Sequence, residues 1–380
     1  MNLPNEELPK RGDTGSGASS VPKNLGDLQK TITMAGIAKA AGVSQGAISS
    51  LLNDRDYGIR VSEKTRQRVF KVCRDMGYIP NDLRAVVRMY PELGDFCLLI
   101  SSRIAGGLSD PFVARIAVAA MAAIPDPSHP LSVGLYDESA DYHSPGVPPP
   151  HAISAGVCSK FLVLGPPNQS LFELLTRRGL PVLSLGHDAS FPGVISLSPD
   201  YRTASRLGIE HLTKLGHTHL AIVSGPFGST DPRVLELNHG IRVACDSLGA
   251  SVETQDIIHG DLTAAAGRIA LKELLARETR PTAIFCLSDA AALGVIAEAQ
   301  SRGIAMPKML SVIGCGDDPC AQGASPRLTT IHIPAEEMAE SGVRELDALV
   351  HDPATPTPRK TLVPVKLVER DSCAAMAGHS

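Results

Sequence analysis

The sequence predicts a chain of mixed class, a small α-helical module followed by a larger α/β body. Three observations carry that reading. Residues 33–76 place apolar side chains at helical spacing. From residue 96, short apolar runs alternate with amphipathic stretches over about 270 residues, the pattern of strand–helix units in a parallel sheet. Charge is divided the same way. The 380 residues carry a formal net charge of −4, but residues 31–90 hold ten basic and five acidic side chains, +5 there and −9 elsewhere.

Residues 1–30 are rich in Gly, Ser, Asn and Pro, show no period, and read as a mobile tail. Thr33 is a hydroxyl N-cap ahead of Met34, Ile37, Ala38 and Ala41. Gly42-Val43 makes a tight break, and Ser44 opens a second helix with Ala47, Ile48, Leu51 and Leu52 on one face. Ser62 opens a third, apolar at Val69, Val72, Cys73 and Met76 and stopped by Gly77. Asn81 caps a short fourth segment after Pro80.

In the body, the apolar runs are 96–101, 131–136, 161–164, 181–185, 220–224, 283–287 and 310–313. The amphipathic stretches are 112–124, 171–178, 203–215, 234–247, 264–276, 290–301 and 335–350. So many units exceed one comfortable sheet and predict two doubly wound halves. Residues 361–368 read as one edge strand and 371–380 as a short loose end.

Composition excludes several classes. A hydrophobic fraction of 43% and a charged fraction of 20% are those of an ordinary globular protein, not a disordered one. No stretch reaches the ~18 apolar residues of a membrane span. The first 30 residues lack a secretory apolar core, and the eight cysteines are scattered, which fits a reducing cytoplasm rather than a disulfide framework.

Enzyme motifs fail on context. Gly42-Val43-Ser44-Gln45-Gly46 matches the G-x-S-x-G nucleophile pattern but lies between two short helices, not on a strand–turn–helix elbow. There is no P-loop, and no G-x-G-x-x-G follows the first strand. His217-x-His219 and Cys315…Cys320 lack the other ligands of a zinc site. No catalytic residue, metal or cofactor is therefore expected.

Two short helices joined by Ala41-Gly42-Val43-Ser44 have helix-turn-helix dimensions. Such a motif lays the start of its second helix against base edges in the major groove. Gln45, Gly46, Ala47 and Ser50 are then the base-contacting candidates, Gln45 pairing with adenine and the Ala47 methyl meeting a thymine methyl. Thr33, Ser44, Ser49, Asn53, Ser62 and Thr65, with Arg55 and Arg60, are the phosphate-contacting candidates.

These residues resemble a known family. The run from Thr33-Met34-Ala35-Gly36-Ile37-Ala38 through Ala41-Gly42-Val43-Ser44 to Leu51-Leu52-Asn53 is similar to the DNA-binding headpiece of the LacI/GalR transcriptional regulators, the lactose-repressor-like family. So are Val61-Ser62-Glu63-Lys64-Thr65-Arg66 and Tyr78-Ile79-Pro80-Asn81. The likeness continues in Asp110-Pro111-Phe112, Leu215-Gly216-His217, Ser288-Asp289 and Leu328-Thr329-Thr330-Ile331.

The resemblance implies a helix-turn-helix headpiece at 31–80, a hinge helix and linker at 81–94, and a two-lobed, periplasmic-binding-protein-like α/β sensor at 95–370. It implies a homodimeric, cytoplasmic repressor of a near-palindromic double-stranded DNA operator. A small-molecule effector, a sugar or related metabolite, would sit between the lobes. Arg84 and Arg88 would follow the minor groove, with Val87 or Leu83 as the apolar wedge. Phe112, Ser288, Asp289 and Asp317 would face the effector. Departures from the family pattern are Gly36 for Asp, Ser50 for Arg, Leu237 where sugar-responding members carry Arg, and an Asp one place late at Asp317. The alternative is a small-molecule-binding protein or enzyme on the same α/β fold with no operator.

Overall fold

The computed structural model describes residues 32–53, 61–78, 80, 83–90, 93–104, 106–127, 129–351 and 359–376. The expected tail 1–30 and the candidates Arg55 and Arg60 lie outside the described residues. The chain divides into two units, Met1–Asn81 and Asp82–Ser380.

In the first unit, α1 spans Met34–Ala41, α2 Gln45–Asn53 and α3 Glu63–Asp75. Each begins where a hydroxyl relieves an unpaired backbone N–H. Thr33 accepts from Gly36 N at 3.1 Å, Ser44 from Ala47 N at 3.2 Å and Ser62 from Thr65 N at 3.3 Å. Gly42 ends α1 with φ +63°, a left-handed conformation that a side chain would strain. Ile37, Ile48, Leu52, Val69 and Cys73 make the buried core.

The second unit begins with α4 (Leu83–Met89). Its first lobe holds β1 (Asp95–Ser101), α5 (Pro111–Ala123), β2 (Leu131–Tyr136), α6 (His151–Ala155), β3 (Cys158–Leu164), α7 (Gln169–Arg177), β4 (Val182–Leu185) and β5 (Val194–Pro199). The second lobe follows with α8 (Tyr201–Lys214), β6 (Leu220–Ser224), α9 (Pro232–Leu248), β7 (Ile257–His259), α10 (Ala264–Leu275), β8 (Ala283–Cys286), α11 (Asp289–Ser301), β9 (Ser311–Gly316), α12 (Pro319–Gly323) and β10 (Thr329–His332). The chain then returns as α13 (Ala335–His351) and β11 (Arg359–Val363) to the first lobe and ends with β12 (Lys366–Val368) in the second.

The sheets are ordered β11-β5-β4-β3-β1-β2 and β12-β10-β9-β8-β6-β7. All pairings are parallel except β12 against β10. The central strands of each sheet are buried on both faces, as parallel sheets require, while the edge strands β2 and β11 are partly open. Where α10 meets α11, a Cβ on Gly294 would come within 2.0 Å of the Ala264 carbonyl oxygen. A glycine stands there because the two backbones touch.

Two expectations need correction. Residues 361–368 are not one strand. Pro364 has no N–H for a ladder, and the chain changes sheets there, from β11 to β12. Nor is the described part of the C-terminal segment loose. Ser372 is fully buried, donating to Val312 O and accepting from Thr329 N, and Asp371 pairs with Arg327.

Candidate nucleic-acid interface and inter-lobe cleft

In the first unit, the Gly42 turn points the start of α2 outward. Ser44, Gln45 and Gly46 are exposed, and Ser49 and Ser50 are half-buried. Thr33 and Ser62 are exposed beside them in sequence order of the helix starts, and Thr65 is half-buried with its hydroxyl 2.9 Å from that of Ser62. Asn53 closes α2. Ala47 is a correction. It is only 6% exposed, because it shares the inward face with Ile48, Leu51 and Leu52. Its methyl is committed to the core and is not offered to a base.

Leu83, Arg84, Val87 and Arg88 all fall on α4. Val87 is buried, and with Ser159 it fills the space that a Cβ on Gly94 would need. As placed, it faces the first lobe rather than a minor groove, which corrects its reading as an exposed wedge. The side chains of Leu83, Arg84 and Arg88 lie outside the described residues.

In the second unit, a cavity of about 670 Å³ opens between the lobes. Its walls are the loops at the carboxyl ends of the strands, where ligands of open α/β sheets sit. Phe112 lines it and packs against the cores of both lobes. Ser288 lines it too, although its hydroxyl is engaged, donating to Leu262 O at 2.6 Å and capping α11 through Ala291 N at 3.1 Å.

The two predicted aspartates stand elsewhere. Asp289 is fully buried and accepts from Thr330 Oγ1 and, at 2.8 Å, from Asp318 N. Burial pushes its carboxyl up to about 7, against the lowering effect of those two bonds. It braces the 316–318 loop and does not line the cleft. Asp317 has φ +58°, which swings its carboxylate to His332 at 2.9 Å and Arg370 at 2.5 Å. Burial raises its pKa, but those two partners outweigh burial and hold it below the usual range. It is Asp318, with a carboxyl raised by burial, that lines the cavity.

Sequence reasoning also missed what joins the lobes. Arg115 of α5 donates to Gly316 O at 3.1 Å, Ile333 O at 3.2 Å and both Glu336 oxygens at 2.7 Å. It also lies 3.5 Å from Asp318. His187, after β4, stands 3.0 Å from Asp231, before α9. Burial opposes the Asp231 charge, yet His187 and Arg233 hold its pKa well below the carboxylate range. Leu237 is buried in the second lobe's core, while Arg233, one turn earlier on α9, lines the cleft.

A signal for these residues was present. Asp110-Pro111, Asp231-Pro232 and Asp318-Pro319 each place an Asp at a helix N-cap with Pro at the first helical position. All three Asp residues line the cleft. Among the described residues, no group of three or more His, Cys, Asp or Glu side chains is placed to hold a metal.

A helix-turn-helix module carried by a two-lobed body with a central cleft defines a DNA-binding transcriptional regulator with its own sensor. Residues 33–81 match the bacterial regulatory proteins of the lacI family, and 209–373 match the periplasmic binding protein-like domain. The chain is 29% identical over 359 residues to the HTH-type transcriptional regulator MalR of Streptomyces coelicolor, covering 92% of this chain and 98% of that one. Its fold matches a transcriptional regulator CelR–cellobiose complex (TM-score 0.64, 24% identity, 90% of this chain and 99% of that one). It likewise matches the lac repressor dimer bound to operator and the anti-inducer ONPF (TM-score 0.62, 24% identity, 90% and 99%). The chain thus joins a DNA-binding headpiece of the lacI type to a periplasmic-binding-protein-like body, the organisation of its transcription-regulator relatives.

Proposed function

We propose that this regulator is a cytoplasmic repressor. As a homodimer it grips a near-palindromic operator, and a small molecule in the inter-lobe cleft, a sugar or related metabolite, sets the strength of that grip. The observation that carries the reading is the exposed start of α2, with Gln45 and Gly46 free to meet base edges behind a sharp, glycine-built turn. Ser50 completes the base-facing set. Thr33, Ser44, Ser49, Asn53, Ser62 and Thr65 hold phosphates, joined by Arg55 and Arg60, which follow α2 in the sequence.

The structural relatives support the partners, one bound to cellobiose and one a dimer on its operator. Exposed Val118 and Met121 on α5 and Leu135 on β2 are suited to a dimer contact. Among the described residues, no helix is long and apolar enough to cross a membrane. A ligand that favours one lobe geometry shifts operator affinity by linkage, since α4 precedes the first lobe directly. Selection of bound fragments from genomic DNA with the purified protein tests this. A shared near-palindrome, bound less tightly as salt rises, is expected; no enriched site, or a flat salt titration, would overturn it.

A further inference from the structure

We infer that Arg233 anchors the ligand in the inter-lobe cleft, and that the cleft takes neutral polyhydroxylated ligands while refusing their carboxylate forms. The inference rests on the effector-cleft reading above and deepens it.

Arg233 is the second residue of α9, directly after the Asp231-Pro232 cap. Its Nε is closed to solvent and, among the described residues, has no hydrogen-bond partner. The nearest carboxylate oxygen, Oδ2 of Asp231, is 3.6 Å from Nη2, too far for a hydrogen bond. A guanidinium offers five donors in a fixed fork. Here the fork lines a cavity with 37% of the side-chain surface still open. Desolvating a charged donor without a hydrogen bond is costly, and the Asp231 carboxylate offsets that cost by charge alone. Burial disfavours its charge, but Asp231, Tyr201 and Asp110 outweigh burial, so the group stays cationic. One turn further along α9, Leu237 is 1% exposed and offers nothing polar.

The surroundings decide what the fork binds. The other guanidinium lining the cleft, Arg103, is already paired with Glu138 at 3.2 Å. Against these two cations stand five lining carboxylates, Asp110, Glu138, Asp231, Asp261 and Asp318, a formal charge of −3 summed over these seven groups. A vicinal diol meets this arrangement fully. Its two oxygens accept from the fork, and its protons go to the neighbouring carboxylates. A ligand carboxylate could take the fork but would add charge to a negative site and has no proton to give. An ammonium cannot accept from Arg233 at all. Phe112 from one lobe and Phe227 from the other, the latter 86% exposed, add apolar ring faces for the C–H surface of a polyol.

The test uses the full-length protein and matched probes: glucose, galactose, ribose, maltose and cellobiose beside glucuronate, galacturonate and gluconate. Calorimetry and thermal melting are expected to show binding by a neutral probe, with carboxylate probes at least about tenfold weaker. Arg233→Gln should weaken the bound probe by about tenfold or more, read separately from any change in the ligand-free melting temperature that follows from losing the ion pair with Asp231. Arg233→Lys, which keeps the charge and loses the fork, should not restore full affinity. Carboxylate probes binding as well as the neutral ones, no neutral probe binding, or an unchanged affinity in Arg233→Gln would each overturn the inference. Fragment selection on DNA reads the operator separately, so either reading can fail while the other stands.

Discussion

Asp289 is the residue whose setting departs furthest from its sequence context. It follows Ser288 at the start of α11, where a ligand contact was expected, yet it is enclosed and holds the 316–318 loop through Asp318 N. Its folded pKa is about 7, well above the ordinary carboxylate value near 3.8. Between those values the folded state binds the proton and the unfolded chain has released it. Its contribution to stability is therefore fully present below about pH 4, falls as pH rises, and settles at a penalty above about 7. Asp289→Asn does not titrate; its amide oxygen can still accept from Asp318 N, but its NH2 then faces Thr330 Oγ1, whose hydroxyl loses its acceptor. The variant is expected to be destabilised at pH 4.5, with a cost that shrinks by pH 7.5, measured by urea unfolding across that range. A cost that stays level or grows with pH would contradict the assignment. At this scale the caps Thr33, Ser44 and Ser62 were legible, because a hydroxyl three residues from its acceptor N–H is a local matter. The exchange of Asp317 for Asp318 was not, because it follows from one left-handed residue held by distant Arg370 and His332.

Among the elements, α2 was readable and α4 only half so. Periodicity placed Ala47 on the inward face with Ile48, Leu51 and Leu52, and the structure follows the periodicity over the thymine contact also assigned to it. Gln45 is the exposed counterpart. Gln45→Ala should cost about 1–3 kcal/mol on the preferred site and relax selectivity at one position, with the melting temperature unchanged because no packing is lost. Selection on a randomised operator library checks this, and identical base preference in the variant would remove α2 from the reading head. For α4, seven residues sufficed to read a helix but not its facing. Val87 is turned inward by contact with Gly94 and Ser159, residues that no local pattern could bring beside it. Pro364 was similarly visible as a break, while the change of sheet across it was not.

At the scale of the whole molecule, the net charge of −4 conceals +5 on residues 31–90, headpiece and hinge together, and −9 on the remainder. The basic part is where phosphates are expected, and the acidic body keeps clear of them. The exposed apolar side chains of α5 and β2 bear on assembly. Met121→Glu with Leu135→Glu should leave the far-UV spectrum and melting cooperativity intact, shift the protein to monomer by sedimentation, and weaken operator binding about tenfold or more, since each half-site is then held alone. A dimer that survives both charges would place the contact elsewhere.

The sequence by itself determined the class, the order of the units, the helix-turn-helix and its caps, and the alternation that builds two parallel sheets. Those features rest on contacts a few residues apart or on periodicities along the chain. Only the tertiary structure decided the cleft. It brought Asp110, Asp231 and Asp318 to one cavity from three separate helix starts, buried Leu237, left Arg233 Nε without a hydrogen-bond partner among the described residues, and clasped the lobes through Arg115. Burial and unpaired donors are properties of what surrounds a residue, and that is set by the fold, not by neighbours in sequence.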